Sequence, residues 1–134
     1  MIHSTNYTST FIHVAEDCPA AAGEVPPEKT PPTVARMQYD MISRNPYRYT
    51  SDEVIFAVHA ARKEIPPEEL AAERAAFFSR GQPCLRTSPL GKRYGWGIHH
   101  DPESRIAIYA RDSEEYTRLS GDPGLKQVKG MKRS

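Results

Sequence analysis

The sequence predicts an α+β domain in which a small antiparallel sheet, an N-terminal strand plus a C-terminal hairpin, carries three or four helices on one face. Three observations lead there. β-Branched and aromatic residues alternate over residues 10–15 and again in two segments after Tyr94. Helix starts are marked by capping residues at Thr33, Thr50 and Asp112. The helical stretches fall together between the strands instead of alternating with them, which favours a segregated layout.

In chain order, residues 10–15 (TFIHVA) form the first strand, with Phe11, His13 and Ala15 on one face and Ile12 and Val14 on the other. Five of the 12 prolines then fall in residues 19–32, a surface loop that cannot donate to a ladder at those positions. Thr33 caps a helix whose apolar stripe is Val34, Met37, Met41 and Ile42, and Asn45-Pro46 ends it. Thr50 to Glu53 has capping-box spacing, with Tyr49 and Val54 placed as a hydrophobic staple, so a second helix runs to about residue 64. Pro66, Pro67, Glu68 and Glu69 open a third, striped by Leu70, Phe77 and Phe78, with Gly81 as its left-handed cap. Alternation puts Trp96, Ile98 and His100 on one face of a hairpin strand and Ile106 with Ile108 on the next, joined by turn residues 101–104. Asp112 and Glu115 suggest a second capping box, opening a short helix through Tyr116 and Leu119 to Gly121. A basic tail, 122–134, carries Lys126, Lys129, Lys132 and Arg133. Three strands are near the minimum for a stable sheet, so a fourth is expected from the N-terminus or this tail.

Length and composition bound the class. The 134 residues fit a single domain, 1–134, large enough to bury about two-thirds of its unfolded surface. Cys18 and Cys84 lack disulfide-framework or metal spacing and are expected to be thiols in a reducing compartment. With neither a secretory leader pattern nor an apolar run near about 20 residues, a cytoplasmic protein without a membrane partner is expected. A formal net charge of +1 argues against nucleic acid as partner.

The stretches TNYTSTFIHVAEDCP, ISRNPYRYTSDEV and FFSRGQPCLRTSPLGKRYGWGIHHD together resemble a family of small proteins catalogued as a domain of unknown function. The resemblance spans nearly the whole chain and is strongest over residues 77–101. It brings no assigned catalytic residues to carry over, so function has to be read from the residues themselves.

Residues 81–97 are the expected site. No Asp or Glu occurs from residue 81 to 100, although 17 of the 134 residues are acidic, and the window holds Arg86, Lys92, Arg93 and four glycines. Arg86, Thr87, Ser88, Lys92, Arg93 and Tyr94, with Trp96 beside them, are donors suited to phosphate or carboxylate, so an anionic small molecule or an acidic protein partner is expected. Neither a P-loop nor a dinucleotide fingerprint is present, and no cofactor is expected. Trp96 and Tyr94 beside cations also suit single-stranded nucleic acid, but Trp96 in alternation with Ile98 reads first as core. If catalysis occurs, Cys84 is the candidate nucleophile and Tyr94, His99 or His100 the proton carriers. A metal site is not expected, because adjacent His99 and His100 point to opposite faces of a strand. The alternative from another class is a protein-docking module using the proline-rich loop or the basic tail.

Overall fold

The computed structural model describes residues 2–133. Four strands, β1 (Thr10–His13), β2 (Trp96–His100), β3 (Ile106–Ala110) and β4 (Lys126–Lys129), form one sheet in the order β3-β2-β1-β4. Among the described residues the five α-helices are α1 (Val34–Arg44), α2 (Ser51–Arg62), α3 (Leu70–Phe77), α4 (Pro89–Lys92) and α5 (Glu114–Ser120). No helix among the described residues is long and apolar enough to cross a membrane.

The fold is α+β, and the hairpin and N-terminal strand pair antiparallel as the alternation predicts: Ile12 lies opposite Ile98, and Ile98 opposite Ile108. The fourth strand does come from the tail, but it runs parallel to β1, so the sheet is mixed and not purely antiparallel. The reason is the crossover. Two antiparallel steps leave β3 running the same way as β1, and α5 carries the chain back across the sheet to re-enter beside β1 in that direction.

One face of the sheet, carrying Ile12, Ile98 and Ile106, packs with Ile42 of α1, Val54 of α2, Leu85, and Leu90 of α4 into the main core. The other face is not bare. Tyr116 of α5 stands edge-on to Phe11 at 5.0 Å between ring centroids, and its hydroxyl accepts the Val14 N–H at 2.9 Å. Gly97 makes this possible, since a Cβ there would come within 2.6 Å of both Phe11 and Tyr116. The helices therefore cover both faces, α5 lying opposite α1, α2 and α4. Outside α2, Phe56 and Ala60 meet Phe78 in a satellite cluster that seats α3.

The local signals act largely as their chemistry requires. Thr33 Oγ1 accepts from the Arg36 N–H, and Thr50 with Glu53 closes a reciprocal capping box that leaves no orphan donor between them. Two caps differ from expectation. Ser113, not Asp112, caps α5, because the Asp112 carboxylate is taken by the Gly23 N–H at 3.1 Å. Gly81 is not a left-handed cap: α3 ends at Phe77, whose carbonyl accepts from Gln82 Nε2 at 2.7 Å. Among the described residues the glycine with positive φ is Gly95, at 79°, where a Cβ would lie 2.3 Å from the Ala22 carbonyl oxygen.

Candidate functional site

The segment 81–97 folds back on the core as two helical turns, with Leu85–Thr87 in a 3-10 turn leading into α4. Ser88 ties it down. Its Oγ accepts the Leu90 N–H at 3.1 Å, so the hydroxyl proton goes to Gln38 Oε1 at 2.6 Å. Gln38 is 5% exposed on α1. Its oxygen is committed to Ser88, and its Nε2 is not one of the buried side-chain atoms that lack a partner among the described residues.

That amide opens onto a groove of about 420 Å³ between α1, α2 and residues 82–89. Val34, Ile55, Val58, Phe77 and Leu85 make its apolar walls. Gln38, His59, Arg62, Lys63, Gln82, Cys84, Thr87 and Ser88 supply the polar groups, and among the described residues no carboxylate borders it. The ion pairs among the described residues use Arg36, Arg44, Arg105, Lys129 and Lys132, so Arg62 and Lys63 at the end of α2 are in none of them. Their position suits the helix dipole. His59 lies 4.5 Å from Phe77, ring to ring, on the same wall. A wider groove of about 840 Å³ lies across α2, but its Thr50 and Glu53 are bound to each other in the capping box.

The expected ligand-binding residues are divided among three places. Thr87 and Ser88 border the groove. Arg86 faces away, its Nε donating to the Lys129 carbonyl at 2.8 Å while its own carbonyl accepts the Met131 N–H, so it pins the tail to the body. Lys92 is the last residue of α4, Arg93 lies over the Tyr94 ring at 5.7 Å, and the Tyr94 carbonyl holds the Glu24 N–H. Trp96 donates its indole N–H to the Glu24 carbonyl at 2.8 Å and packs 5.5 Å from Tyr39 at the core margin.

The catalytic candidates are also separated. Cys84 is half-buried in the groove wall, its Sγ 3.3 Å from the Tyr7 hydroxyl. Burial, and then the hydrogen bond with Cys84, push the Tyr7 hydroxyl up to about 12, so it stays protonated at neutral pH. Tyr7 in turn stands edge-on to His100 at 5.3 Å. His100 is fully buried, and among the described residues neither ring nitrogen makes a well-aligned hydrogen bond, although the Ile98 and Thr10 backbone lies close by. Burial drives its imidazole down to about 4, against the opposing pull of the Ile98 and Thr10 carbonyls. His99 points to the opposite side of the sheet, where its Nδ1 lies 2.7 Å from the Tyr47 hydroxyl, itself 2.7 Å from that of Tyr109. Burial lowers its pKa as well. Cys84 and His99 are thus on different sides of the sheet, and Tyr7 stands beside both Cys84 and His100. Cys18 lies in a separate cluster with Val14, Ala15 and Ala20. Among the described residues no three metal-ligating side chains converge.

Tyr7, Gln38, Arg62 and Lys63 were not singled out by the sequence, and His59, in an apolar helix, reads there as structural. For Gln38 a signal exists: Val34, Gln38 and Ile42 are four apart on one stripe of α1, and an amide in that register is a polar group at a core position.

A family model described as a family of unknown function (DUF6157) matches residues 2–134, nearly the full chain, and the protein belongs to that family. No curated protein and no solved structure matches it.

Proposed function

For this member of the family we propose that the groove between α1, α2 and residues 82–89 binds a small organic anion with an apolar body, such as an aliphatic or aromatic carboxylate. The observation that carries the reading is a wall with Arg62 and Lys63, beside the His59 ring, over apolar side chains, and no carboxylate among its described residues to neutralise the two cations. A volume of about 420 Å³ is within the range of small-molecule pockets, which favours a small molecule over an acidic protein surface. In this reading the cations hold the anionic group at the mouth, the Gln38 amide donates to an acceptor oxygen deeper in, and Val58, Phe77 and Leu85 cover the apolar body. The docking-module alternative draws on residues 19–32, whose Glu24 carbonyl and Pro26 carbonyl are already held by Trp96 and Arg36 of the same chain.

Thermal unfolding against acetate, hexanoate, benzoate and inorganic phosphate tests it. A ligand at a hundred times its dissociation constant adds about 2.7 kcal/mol. Hexanoate or benzoate is expected to raise the midpoint by several degrees and phosphate to do much less. Arg62→Ala with Lys63→Ala should abolish the shift while changing the unliganded stability by no more than about 0.5 kcal/mol, since both side chains are on the surface. A flat panel, or a shift that survives in the double variant, sinks the reading.

A further inference from the structure

We propose that residues 79–84, which carry Gln82, Pro83 and Cys84 to the border of the groove, are a lid latched shut by the N-terminal segment 3–7, with the Asp52 carboxylate of α2 as the clasp. The effect on binding rests on the anion reading above, whereas the latch itself does not.

The lid is anchored at its ends and loose between them. Phe78 and Leu85 are buried, and none of residues 79–84 is. The hydrogen bonds that residues 79–84 make with their chain neighbours are local: Ser79 donates to the Ala76 carbonyl, Gln82 Nε2 to the Phe77 carbonyl, and the Cys84 carbonyl accepts from Thr87. A stretch with so few buried groups opens far more easily than the fold as a whole. Among the described residues its ties to the rest of the molecule come from the N-terminal segment. The His3 N–H donates to the Phe78 carbonyl at 2.8 Å, the His3 ring borders Gly81, where a Cβ would lie 3.8 Å from Nδ1, and the Tyr7 hydroxyl is 3.3 Å from Cys84 Sγ.

Segment 3–7 is held by two different means. Tyr7 packs against the main core and is a fixed post. Residues 3–6 depend on polar groups at the start of α2. Asp52 Oδ1 accepts the Thr5 N–H at 2.7 Å and the Thr5 hydroxyl at 2.6 Å, and Oδ2 accepts the Ser4 hydroxyl at 2.8 Å. Thr5 Oγ1 is also 2.8 Å from Ser51 Oγ, and Asn6 Oδ1 accepts the Asp52 N–H at 2.9 Å. Asp52 is buried in the first turn of α2, where the helix dipole favours a carboxylate. Three donors from two adjacent residues thus converge on one charged group, so losing that group's bonds frees His3 and, with it, the contacts at Phe78 and Gly81.

Trypsin reads the lid directly. Arg80 is exposed within it, and cleavage there follows the open population when reclosing is fast. Cleavage after Arg44, at the end of α1, reads opening of the body. Ser4→Ala with Thr5→Val removes the two hydroxyl donors and leaves α2 intact. It is expected to raise the ratio of Arg80 to Arg44 cleavage about tenfold, the scale of hydrogen bonds to a charged group. Tyr7→Phe, which frees the Cys84 end alone, is expected to raise the ratio about threefold, and it carries the test if the double variant does not fold. A ratio equal to that of wild type, or cleavage that rises equally at both sites, overturns the latch. Benzoate is expected to slow Arg80 cleavage in the wild type by holding the lid closed. If the variants open the lid while benzoate changes neither cleavage nor the unfolding midpoint, the latch stands and the anion reading fails. If benzoate raises the midpoint while the variants leave the ratio unchanged, the latch fails and the anion reading stands.

Discussion

Between pH 6.5 and about 4 the protein is expected to lose about 3 kcal/mol of stability through His100 alone. The imidazole is fully buried with no well-aligned hydrogen bond at either nitrogen among the described residues, and burial holds its folded pKa at about 4 against an ordinary 6.5. As pH falls through that window the unfolded chain takes up the proton first. The contribution of neutral His100 is therefore complete above pH 6.5, declines as pH approaches 4, and levels off below it. His99 shifts in the same direction and steepens the decline. Urea unfolding near neutral pH and at about pH 4.5, on wild type and His100→Phe, isolates the effect, since phenylalanine keeps a ring against Tyr7 and removes the titrating group. The variant is expected to lose less stability on acidification, by an amount approaching that figure. An identical decline in the two proteins would mean that His100 is hydrated or hydrogen-bonded in the folded state.

Leu90→Ala is expected to cost about 2–5 kcal/mol, the range for emptying a buried leucine site. Leu90 is 0% exposed on the four-residue α4 and meets Ile12, Ile42 and Ile98 in the main core. The result matters because the surrounding stretch looks like a glycine-rich loop. A leucine on a mobile loop would change stability by no more than about 0.5 kcal/mol when truncated. A loss of the larger size at unchanged denaturant dependence establishes that the segment carrying Ser88 and Pro89, which border the groove, is anchored in the core. A small one would leave the groove without a fixed wall.

What was legible in the sequence was local. Thr33, and Thr50 with Glu53, cap α1 and α2 because a cap is made by residues two or three apart. β1 and the hairpin follow from alternation, and Ile12, Ile98 and Ile108 line up across the sheet. β4 was obscure because Lys126, Gln127 and Lys129 surround a single Val128, a composition that protects an edge strand and reads as a charged tail. Its parallel direction depends on where α5 crosses, which no residue of the strand encodes. The site was harder still. Ser88 and Gln38 are 50 residues apart, and Tyr7 and Cys84 are 77 apart, so their meeting is a property of the packed fold. The acid-free window from residue 81 supplies Cys84, Thr87 and Ser88 to the border of the proposed groove. The cations that face it come from α2, where Arg62 and Lys63 looked like an ordinary helix end.

Titration of isotope-labelled protein with benzoate, followed through the Gln38 side-chain amide, tests the anion-binding claim most directly. The account predicts that this NH₂ resonance and the backbone amides of Arg62 and Lys63 shift together and saturate with one affinity, and that Arg62→Ala with Lys63→Ala removes the response. A Gln38 resonance that stays fixed while amides around Arg86 or Arg93 move would put the anion elsewhere and contradict the account.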